Sequence, residues 1–259
     1  MAYRKTPAEL ARLRAARERL VAQATEVVAE AGWAGASVTA VAAAAGIAAG
    51  SVYQHFPSKA ALAVEVFRRA SGREAEVLGE VLRGGGDPVE RLAHGVRVFA
   101  LRALERPGLA YALLAAPAEP ALGAERLEFR RRYRALFAEV VREGVAAGLL
   151  PPQDPHLTAA ALTGAVGEVL VDPLGAVGEV PGAPPRLTTD GLTPPDLTTD
   201  GLGSDGLTAV DLTATGPSGH GAATDPATDT LLAELTALAL RCAGARPAAP
   251  RPSNQEDPS

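Results

Sequence analysis

Residues 37–56 read SVTAVAAAAGIAAGSVYQHF, and their spacing predicts two short helices joined by a sharp turn. Ser37 can cap the first helix, because its hydroxyl can accept a hydrogen bond from a free backbone N–H. The inward face of that helix carries Val38, Val41, Ala42 and Ala45. Gly46 permits the turn, and Ile47 is expected to fill the junction between the two helices.

The second helix is predicted over 48–55, and Val52 and Phe56 fall four residues apart on its buried side. Two short helices about a glycine-containing turn form a helix-turn-helix, whose second helix fits the major groove of DNA. The small residues at 42–45 allow the two helices to cross closely. The sequence therefore predicts an N-terminal domain that binds double-stranded DNA.

The outward side chains of this region are the candidate DNA contacts. They are Thr39, Ala49, Gly50, Ser51, Tyr53, Gln54, His55 and Lys59. Gln54 can form a bidentate pair with adenine, and Ser51 with the Ala49 methyl suits a mixed polar and thymine-methyl surface. Tyr53 and His55 are better placed for phosphate or sugar, contacts that position a protein without reading bases.

Phosphate contacts are expected at two helix starts. Ser58 can cap the next helix, and Lys59 adds a cation beside the free N–H groups of its first turn. Thr39, near the start of the first short helix, is the other phosphate candidate. Both positions flank the second short helix in the sequence.

The net charge of −5, taken alone, argues against a nucleic-acid partner, but the charge is unevenly distributed. Residues 1–59 carry +3, residues 60–171 are neutral and residues 172–226 carry −7. The basic residues of the N-terminal extension are Arg4, Lys5, Arg12, Arg14, Arg17 and Arg19. They can contact the DNA backbone or minor groove, or they can form a merely solvated helix start, and both interpretations stay open.

The acidic segment 172–226 contains ten Gly, eight Pro and no aromatic residue. Its hexapeptide LTTDGL occurs twice, at 187–192 and 197–202. Such a composition buries too little apolar surface to offset the entropy of ordering the chain. We therefore expect a disordered acidic insertion over 172–225 and a disordered tail over 245–259.

The rest of the chain shows helical periodicity without alternating β-branched strands, which predicts an all-α protein of about nine helices. The predicted helices run over 8–31, 38–45, 48–55, 58–82, 88–104, 108–115, 120–147, 155–171 and 226–243. Three of them start at Asp-Pro pairs, in which Asp87, Asp154 and Asp225 can act as caps.

The predicted helix 120–147 is rich in arginine, Arg126 among them, with interleaved glutamates. Its aromatic residues Phe129, Tyr133 and Phe137 follow one another at intervals of four residues on one face. This pattern favours a core stripe opposite a solvated charged face. The alternatives are a second nucleic-acid site and the wall of a ligand pocket.

Several classes of site are excluded or disfavoured. The lone Cys242 rules out a disulfide framework and is most simply a small buried apolar residue. No run approaches the ~18–20 apolar residues of a membrane span, and Met1 is not followed by a secretory stretch, so we expect a cytoplasmic protein without a membrane contact. His94 and His156 have no partner at metal-ligand spacing, so neither a metal nor a cofactor is predicted.

The stretch from about Leu20 to Leu62 resembles the DNA-binding domain of TetR-type (tetracycline-repressor-like) regulators, and YQHFPSK at 53–59 is its most specific part. The resemblance implies an all-α homodimer with a three-helix helix-turn-helix domain over 1–59. A ligand-binding and dimerisation domain would then comprise 60–171 and 226–244. The family usually carries Ser or Thr at 48 and often Lys at 49; Ala48 and Ala49 stand there instead, which predicts a poorer cap for the second short helix.

The resemblance also implies that helices 155–171 and 226–243 pair with their symmetry mates as a four-helix interface. The apolar residues of these two helices are Leu157, Ala161, Ala165 and Val169 in the first, and Leu231, Leu235, Leu238 and Cys242 in the second. A ligand site would lie among the preceding helices. Its candidate residues, each of which also fits plain core packing, are Phe99, Arg102, Tyr111, Phe129 and Tyr133.

The function expected from these observations is a dimeric transcriptional regulator that binds a pseudo-palindromic operator and is released by a small molecule. The alternative is a DNA-binding protein controlled by a protein partner, without a small-molecule ligand. An all-α enzyme is a remote third hypothesis, because HExxH and GxSxG are missing and no catalytic residue can be assigned.

Overall fold

Helices make up the regular structure of the residues that the computed structural model describes, which are 6–116, 120–176 and 225–245. In chain order they are α1 (Pro7–Gly35), α2 (Val38–Ala44), α3 (Ala49–Val52), α4 (Lys59–Leu82), α5 (Pro88–Glu105), α6 (Pro107–Leu114), α7 (Leu122–Ala146), α8 (Pro155–Ala176) and α9 (Pro226–Cys242). The all-α prediction is confirmed. Arg4 and Lys5, most of the predicted insertion and the tail from residue 246 lie outside the described residues.

Most of the predicted helix caps are present. Ser37 and Ser58 each accept a backbone N–H three residues on, at 3.1 Å, and begin α2 and α4. Asp87 and Asp154 accept from the first turns of α5 and α8, at 2.6 and 2.8 Å. Asp225 makes no side-chain cap hydrogen bond, so that part of the prediction is wrong.

The helix-turn-helix core is formed by α1, α2, α3 and the start of α4. Val41, Val52 and Phe56 are buried, as their spacing predicts. Gly46 has φ of +66°, a conformation that glycine adopts without strain, and it makes the turn after α2. The prediction for Ile47 is wrong, because its side chain is 39% exposed and does not fill the junction.

Helix α4 belongs to both halves of the molecule. Near its start, Glu65 forms a bidentate ion pair with Arg17 of α1, at 2.9 and 3.0 Å. One half-turn later, the ring of Phe67 lies 6.4 Å from that of Trp33. The packing of the DNA-binding domain therefore continues beyond residue 59, where the sequence suggested its boundary.

The larger domain packs α4, α5, α7 and α8 side by side, with α6 between α1 and α8 and with α9 against α5. Three arginines pair with glutamates of α7: Arg68 of α4 with Glu125, Arg83, directly after α4, with Glu139, and Arg91 of α5 with Glu143. The predicted solvated face of helix 120–147 is thus partly engaged in ion pairs. Exposed pairs each contribute about 0–1 kcal/mol to stability, but the Arg91 side chain is only 11% exposed.

Helix α8 extends five residues beyond the predicted end at 171. Its buried stripe continues through Leu170 and Leu174 despite Pro173, and both leucines are fully buried. Over Pro155–Gly175 this helix is long and apolar enough, by length and composition, to cross a membrane. By that measure, the expectation that no apolar stretch approaches the length of a membrane span is wrong. Its exposed residues include Leu157, Ala161 and Gly164 in its first half and the charged Glu168 and Asp172 further along.

The buried face of α9 differs from the predicted one. Leu232, Leu235 and Ala239 are buried, whereas Leu231 and Leu238 are half-buried. Cys242 is exposed, which contradicts its interpretation as a buried apolar residue. The helix is rotated by about one residue position relative to the expected stripe, because α9 packs mainly against α5.

Candidate DNA-binding surface and ligand cavity

The predicted recognition helix is shorter than expected. α3 contains four residues, and the chain then continues through tight turns to Phe56. In these turns the backbone N–H groups of Gln54 and His55 bond to carbonyls three residues earlier, at 3.2 and 2.9 Å. Ala48 provides no side-chain cap, as predicted from its sequence. The turns nonetheless hold the outward side chains over the buried anchors Val52 and Phe56.

The predicted DNA contacts differ in their exposure to solvent. Thr39, Gly50, Tyr53 and Gln54 are exposed. Tyr53 is 55% exposed, which is a large value for an aromatic residue. The remaining candidates are half-buried: Ala49, Ser51, His55 and Lys59.

Ile47 is an exposed residue of this region that the sequence reasoning missed as a surface group. It lies between the turn at Gly46 and the first turn of α3. Its 39% exposure puts an apolar side chain beside the polar candidates. The sequence signal for this exposure is the position of Ile47 directly after the turn glycine.

Arg17 has a structural role that neither interpretation of the N-terminal extension included. Besides its ion pair with Glu65, its guanidinium lies 4.6 Å from the centroid of the Phe56 ring. Hydrogen bonds from Arg17 lower the pKa of the Glu65 carboxyl below its usual value. Arg12, Arg14 and Arg19 of the same helix are exposed.

A cavity of about 580 Å³ lies in the larger domain, between α1 and helices α4 to α8. That volume is within the range typical of small-molecule sites. Its apolar wall includes Phe67, Phe99, Phe129, Tyr133, Phe137 and Val166. The aromatic rings pack edge to face, Phe67 on Phe129 at 5.8 Å and Phe99 on Tyr133 at 5.6 Å.

Four of the five predicted ligand residues line this cavity: Phe99, Arg102, Phe129 and Tyr133. Tyr111 does not. It is 2% exposed and packs near Gly175 of α8, where an added Cβ would lie 3.5 Å from its ring. Tyr111 is therefore a core residue, the alternative that the sequence had left open for each candidate.

Two polar groups in the lining are already satisfied by protein partners. Arg102 forms a bidentate ion pair with Glu74, at 2.7 and 2.8 Å. The Tyr133 hydroxyl donates to the carbonyl of Ser71 at 3.3 Å, and burial raises its pKa well above the usual range. At neutral pH this hydroxyl is protonated and acts as a donor.

Arg126 has no carboxylate partner among the described residues. Its Nε and Nη2 atoms donate to three carbonyl oxygens at the end of α6, those of Ala112, Leu113 and Ala116, at 2.6–3.2 Å. Burial, and to a lesser extent Arg130, lower the pKa of the guanidinium. Sequence reasoning assigned Arg126 to a solvated face. Its position three residues before Phe129, on the aromatic stripe, was the signal for its location in the cavity wall.

The end of α6 also contacts the DNA-binding domain. Trp33 of α1 donates its indole N–H to the carbonyl of Ala112 at 2.8 Å. Gly108 of α6 lies so close to α1 that an added Cβ would be 2.0 Å from the carbonyl oxygen of Ala29. The cavity wall and the helix-turn-helix domain thus meet at α6.

Within residues 6–116, 120–176 and 225–245, no three His, Cys, Asp or Glu side chains cluster as a metal site.

Solved structures with this fold include transcriptional regulators. A regulator from Rhodococcus sp. Rha1 is 28% identical, with a TM-score of 0.53 over 62% of this chain and 84% of that chain. The fatty acid degradation regulator FadR from Bacillus halodurans is 22% identical, with a TM-score of 0.53 over 61% and 86% of the two chains. FadR from Bacillus subtilis, solved with stearoyl-CoA, is 21% identical, with a TM-score of 0.53 over 60% and 85%.

Two family descriptions match the chain, while a comparison with curated proteins finds no match. Residues 20–66 match the bacterial regulatory proteins of the tetR family, and residues 85–170 match the tetracyclin repressor-like C-terminal domain. The first match ends inside α4, and the second contains most of the cavity wall. The chain belongs to the TetR family of transcriptional regulators, with a helix-turn-helix domain followed by a C-terminal domain of the ligand-binding type.

Proposed function

We propose that the protein is a homodimeric repressor that binds a pseudo-palindromic operator and leaves it when a small molecule enters the cavity. The observation that carries this proposal is the contact of α6 with both the cavity wall and α1. A ligand that displaces the end of α6 changes the position of the helix that supports the DNA-binding surface. Such coupling needs a ligand that binds the two arrangements with different affinity.

The proposed DNA contacts divide into two kinds. Gln54 reads a base, with Ile47 and the methyl of Ala49 against thymine methyl groups. Tyr53 and His55, together with Thr39 and Lys59 at the two helix starts, hold phosphates. Gly50 and Ser51 lie between these residues in the chain and belong to the proposed surface.

The proposed dimer interface uses the uncovered face of α8 together with α9. Leu157 is 71% exposed, and Ala161 and Gly164 follow it on the same face. These three residues form an exposed apolar patch in the first half of α8, before Glu168, and such a patch suits close packing against a second copy. Two-fold symmetry then presents two α3 segments to half-sites about 34 Å apart, one turn of DNA. In such a dimer the exposed apolar patch of α8 packs against protein and not against a membrane. Together with the DNA partner, this supports a cytoplasmic protein.

A footprint on the DNA upstream of the protein's own gene tests the proposal, with sedimentation measured on the same preparation. We expect a dimer that protects a pseudo-palindromic site, with affinity that falls steeply as salt rises. A screen of small molecules against the complex should yield one that releases the DNA. A monomer that shows equal affinity for all DNA overturns the proposal. Release by a protein partner, with no small molecule active, establishes the alternative form of control.

A further inference from the structure

The charge of the cavity lining is unbalanced. Six arginines and three glutamates line it, and two of the arginines are neutralised there: Arg102 by Glu74 and Arg106 by Glu26. The third glutamate, Glu105, offsets one further positive charge. Arg69 pairs with Glu65, outside the lining. The other three, Arg73, Arg126 and Arg130, have no carboxylate within ion-pair distance among the described residues. The cavity therefore presents positive charge beside an aromatic wall.

Arg126 is the most deeply placed of these three arginines. It is half-buried, whereas Arg73 and Arg130 are exposed. Its Nη1 atom has no hydrogen-bond partner within the described ranges, and neutral carbonyl oxygens satisfy its other nitrogens. Because no carboxylate in the described part of the chain pairs with this half-buried guanidinium, an acidic group that enters the cavity would give it a charge-assisted partner. Arg130, one helical turn further along α7, adds a second guanidinium on the same side.

The residues of α7 in the lining form a graded stripe. Along the helix their order is Arg126, Phe129, Arg130, Tyr133 and Phe137, so both arginines lie in the first part of the stripe and Tyr133 and Phe137 lie beyond them. This stripe is about 16 Å long, at 1.5 Å per residue. A molecule that follows it meets both cations, with Phe129 between them, within about 6 Å, and then the rings of Tyr133 and Phe137.

We propose that the cavity binds an elongated apolar molecule that carries one acidic group, a carboxylate or a phosphate, and that Arg126 and Arg130 hold that group. The inference rests on the proposed ligand response and adds the chemical class of the ligand. The acid competes with the carbonyls of α6 for the guanidinium of Arg126. Ala112 then keeps only its bond from Trp33, so binding of the acid is transmitted to α1.

Three probes of equal chain length test the ligand class: dodecanoate, dodecyl phosphate and the neutral methyl dodecanoate. Binding to the full chain is measured by calorimetry below the concentration at which the probes form micelles. We expect at least one acid to bind about ten-fold or more tightly than the ester, as charge-assisted hydrogen bonds add that much. The two acids distinguish a carboxylate from a phosphate ligand. The inference is overturned if the ester binds as tightly as both acids, or if no probe binds.

Matched variants of α7 test the residues. Arg126→Met and Arg130→Gln should each reduce the preference for the acid several-fold, and Arg134→Met, at an exposed position outside the lining, should retain it. Arg130 is exposed and unpaired in the described structure, so its variant remains informative if Arg126→Met fails to fold. A preference for the acid that survives in both cavity variants overturns the assignment.

The fluorescence of Trp33 reports the coupling, since the chain has no other tryptophan. We expect the acid to shift its emission in the wild-type chain. Operator release is measured separately by anisotropy. Acids that bind with preference but leave the operator bound contradict the proposed repressor mechanism and leave the ligand class intact. A neutral compound that releases the operator while the acids fail to bind contradicts the proposed ligand class and leaves the repressor mechanism intact.

Discussion

Trp33 and Arg126 donate hydrogen bonds to the same acceptor, the carbonyl oxygen of Ala112, each at 2.8 Å. Trp33 belongs to the helix that supports the DNA-binding surface, and Arg126 belongs to the cavity wall. One carbonyl at the end of α6 therefore joins the two halves of the molecule. Changes at this junction should affect both stability and DNA binding.

Gly108→Ala tests how tightly α6 fits against α1. The new Cβ would lie 2.0 Å from the carbonyl oxygen of Ala29, so the helices must separate. We expect the free energy of unfolding to fall by about 1–3 kcal/mol, the usual effect of overpacking, in urea titrations. Gly123→Ala is the matched control, because Gly123 occupies the same position in the first turn of α7 and has open space around it. An equal effect of the two changes would contradict the tight fit.

Tyr53→Ala and Gln54→Ala separate the two kinds of DNA contact. Loss of a phosphate contact at Tyr53 should weaken binding to operator and random duplexes alike. Loss of a base contact at Gln54 should cost about 1–3 kcal/mol on the operator and leave random DNA nearly unaffected. Anisotropy titrations with both duplexes measure this. Equal losses on both duplexes for Gln54→Ala would refute its role in base reading.

Ala48→Ser should restore the missing cap of α3. Ala48 has the extended backbone that a cap residue requires, with φ of −68° and ψ of 143°, but no side-chain acceptor. We expect the free energy of unfolding to rise by about 0.5–2 kcal/mol. Ala43→Ser, at an exposed position inside α2, is the control and should not stabilise the chain. If both serines act alike, the cap is not the cause.

Glu65 makes the stability of the DNA-binding domain sensitive to acid. Its pKa is lower in the folded chain, because Arg17 donates hydrogen bonds to the carboxylate. The resulting stability is fully present above the unfolded pKa of about 4.3 and is lost as the pH falls through the folded value. Urea titrations between pH 7 and pH 3 should show a smaller loss for Glu65→Gln than for the wild type. Glu30→Gln, at an exposed site that forms no ion pair with the described residues, should follow the wild type.

Gly164→Glu should break the proposed dimer without disturbing the fold of one copy. An added Cβ at Gly164 meets nothing within 4 Å, and the residue is exposed on the face of Leu157. Sedimentation should show a monomer with unchanged helical content and weakened operator binding. Gly72→Glu, in the middle of α4 with open space around it, should remain dimeric. A dimeric Gly164→Glu protein would place the interface elsewhere.

The features that depend on short spacing were predictable from the sequence. Ser37, Ser58 and Asp87 begin helices as expected, because a cap needs only its own first turn. Gly46 makes the turn for an equally local reason. The burial of Val52 and Phe56 follows from their separation by one helical turn.

The features that depend on which neighbour covers a face were not predictable in the same way. The periodicity of α9 indicates an apolar side but not its partner, so Cys242 was assigned to the wrong face. For the same reason Ile47 was placed inside. Arg126 was assigned to solvent because its partners, the carbonyls of α6, are backbone groups that no residue type reveals.

The continuity of α4 determines where this protein can be recombined with its relatives. A chimera joined at residue 59 would separate Glu65 from Arg17 and Phe67 from Trp33. The transplanted DNA-binding domain would therefore lose its packing against α4. A graft that carries α4 through Phe67 retains both contacts. The natural unit of exchange therefore ends inside a helix, and a hybrid regulator would have to continue that helix in phase across the junction.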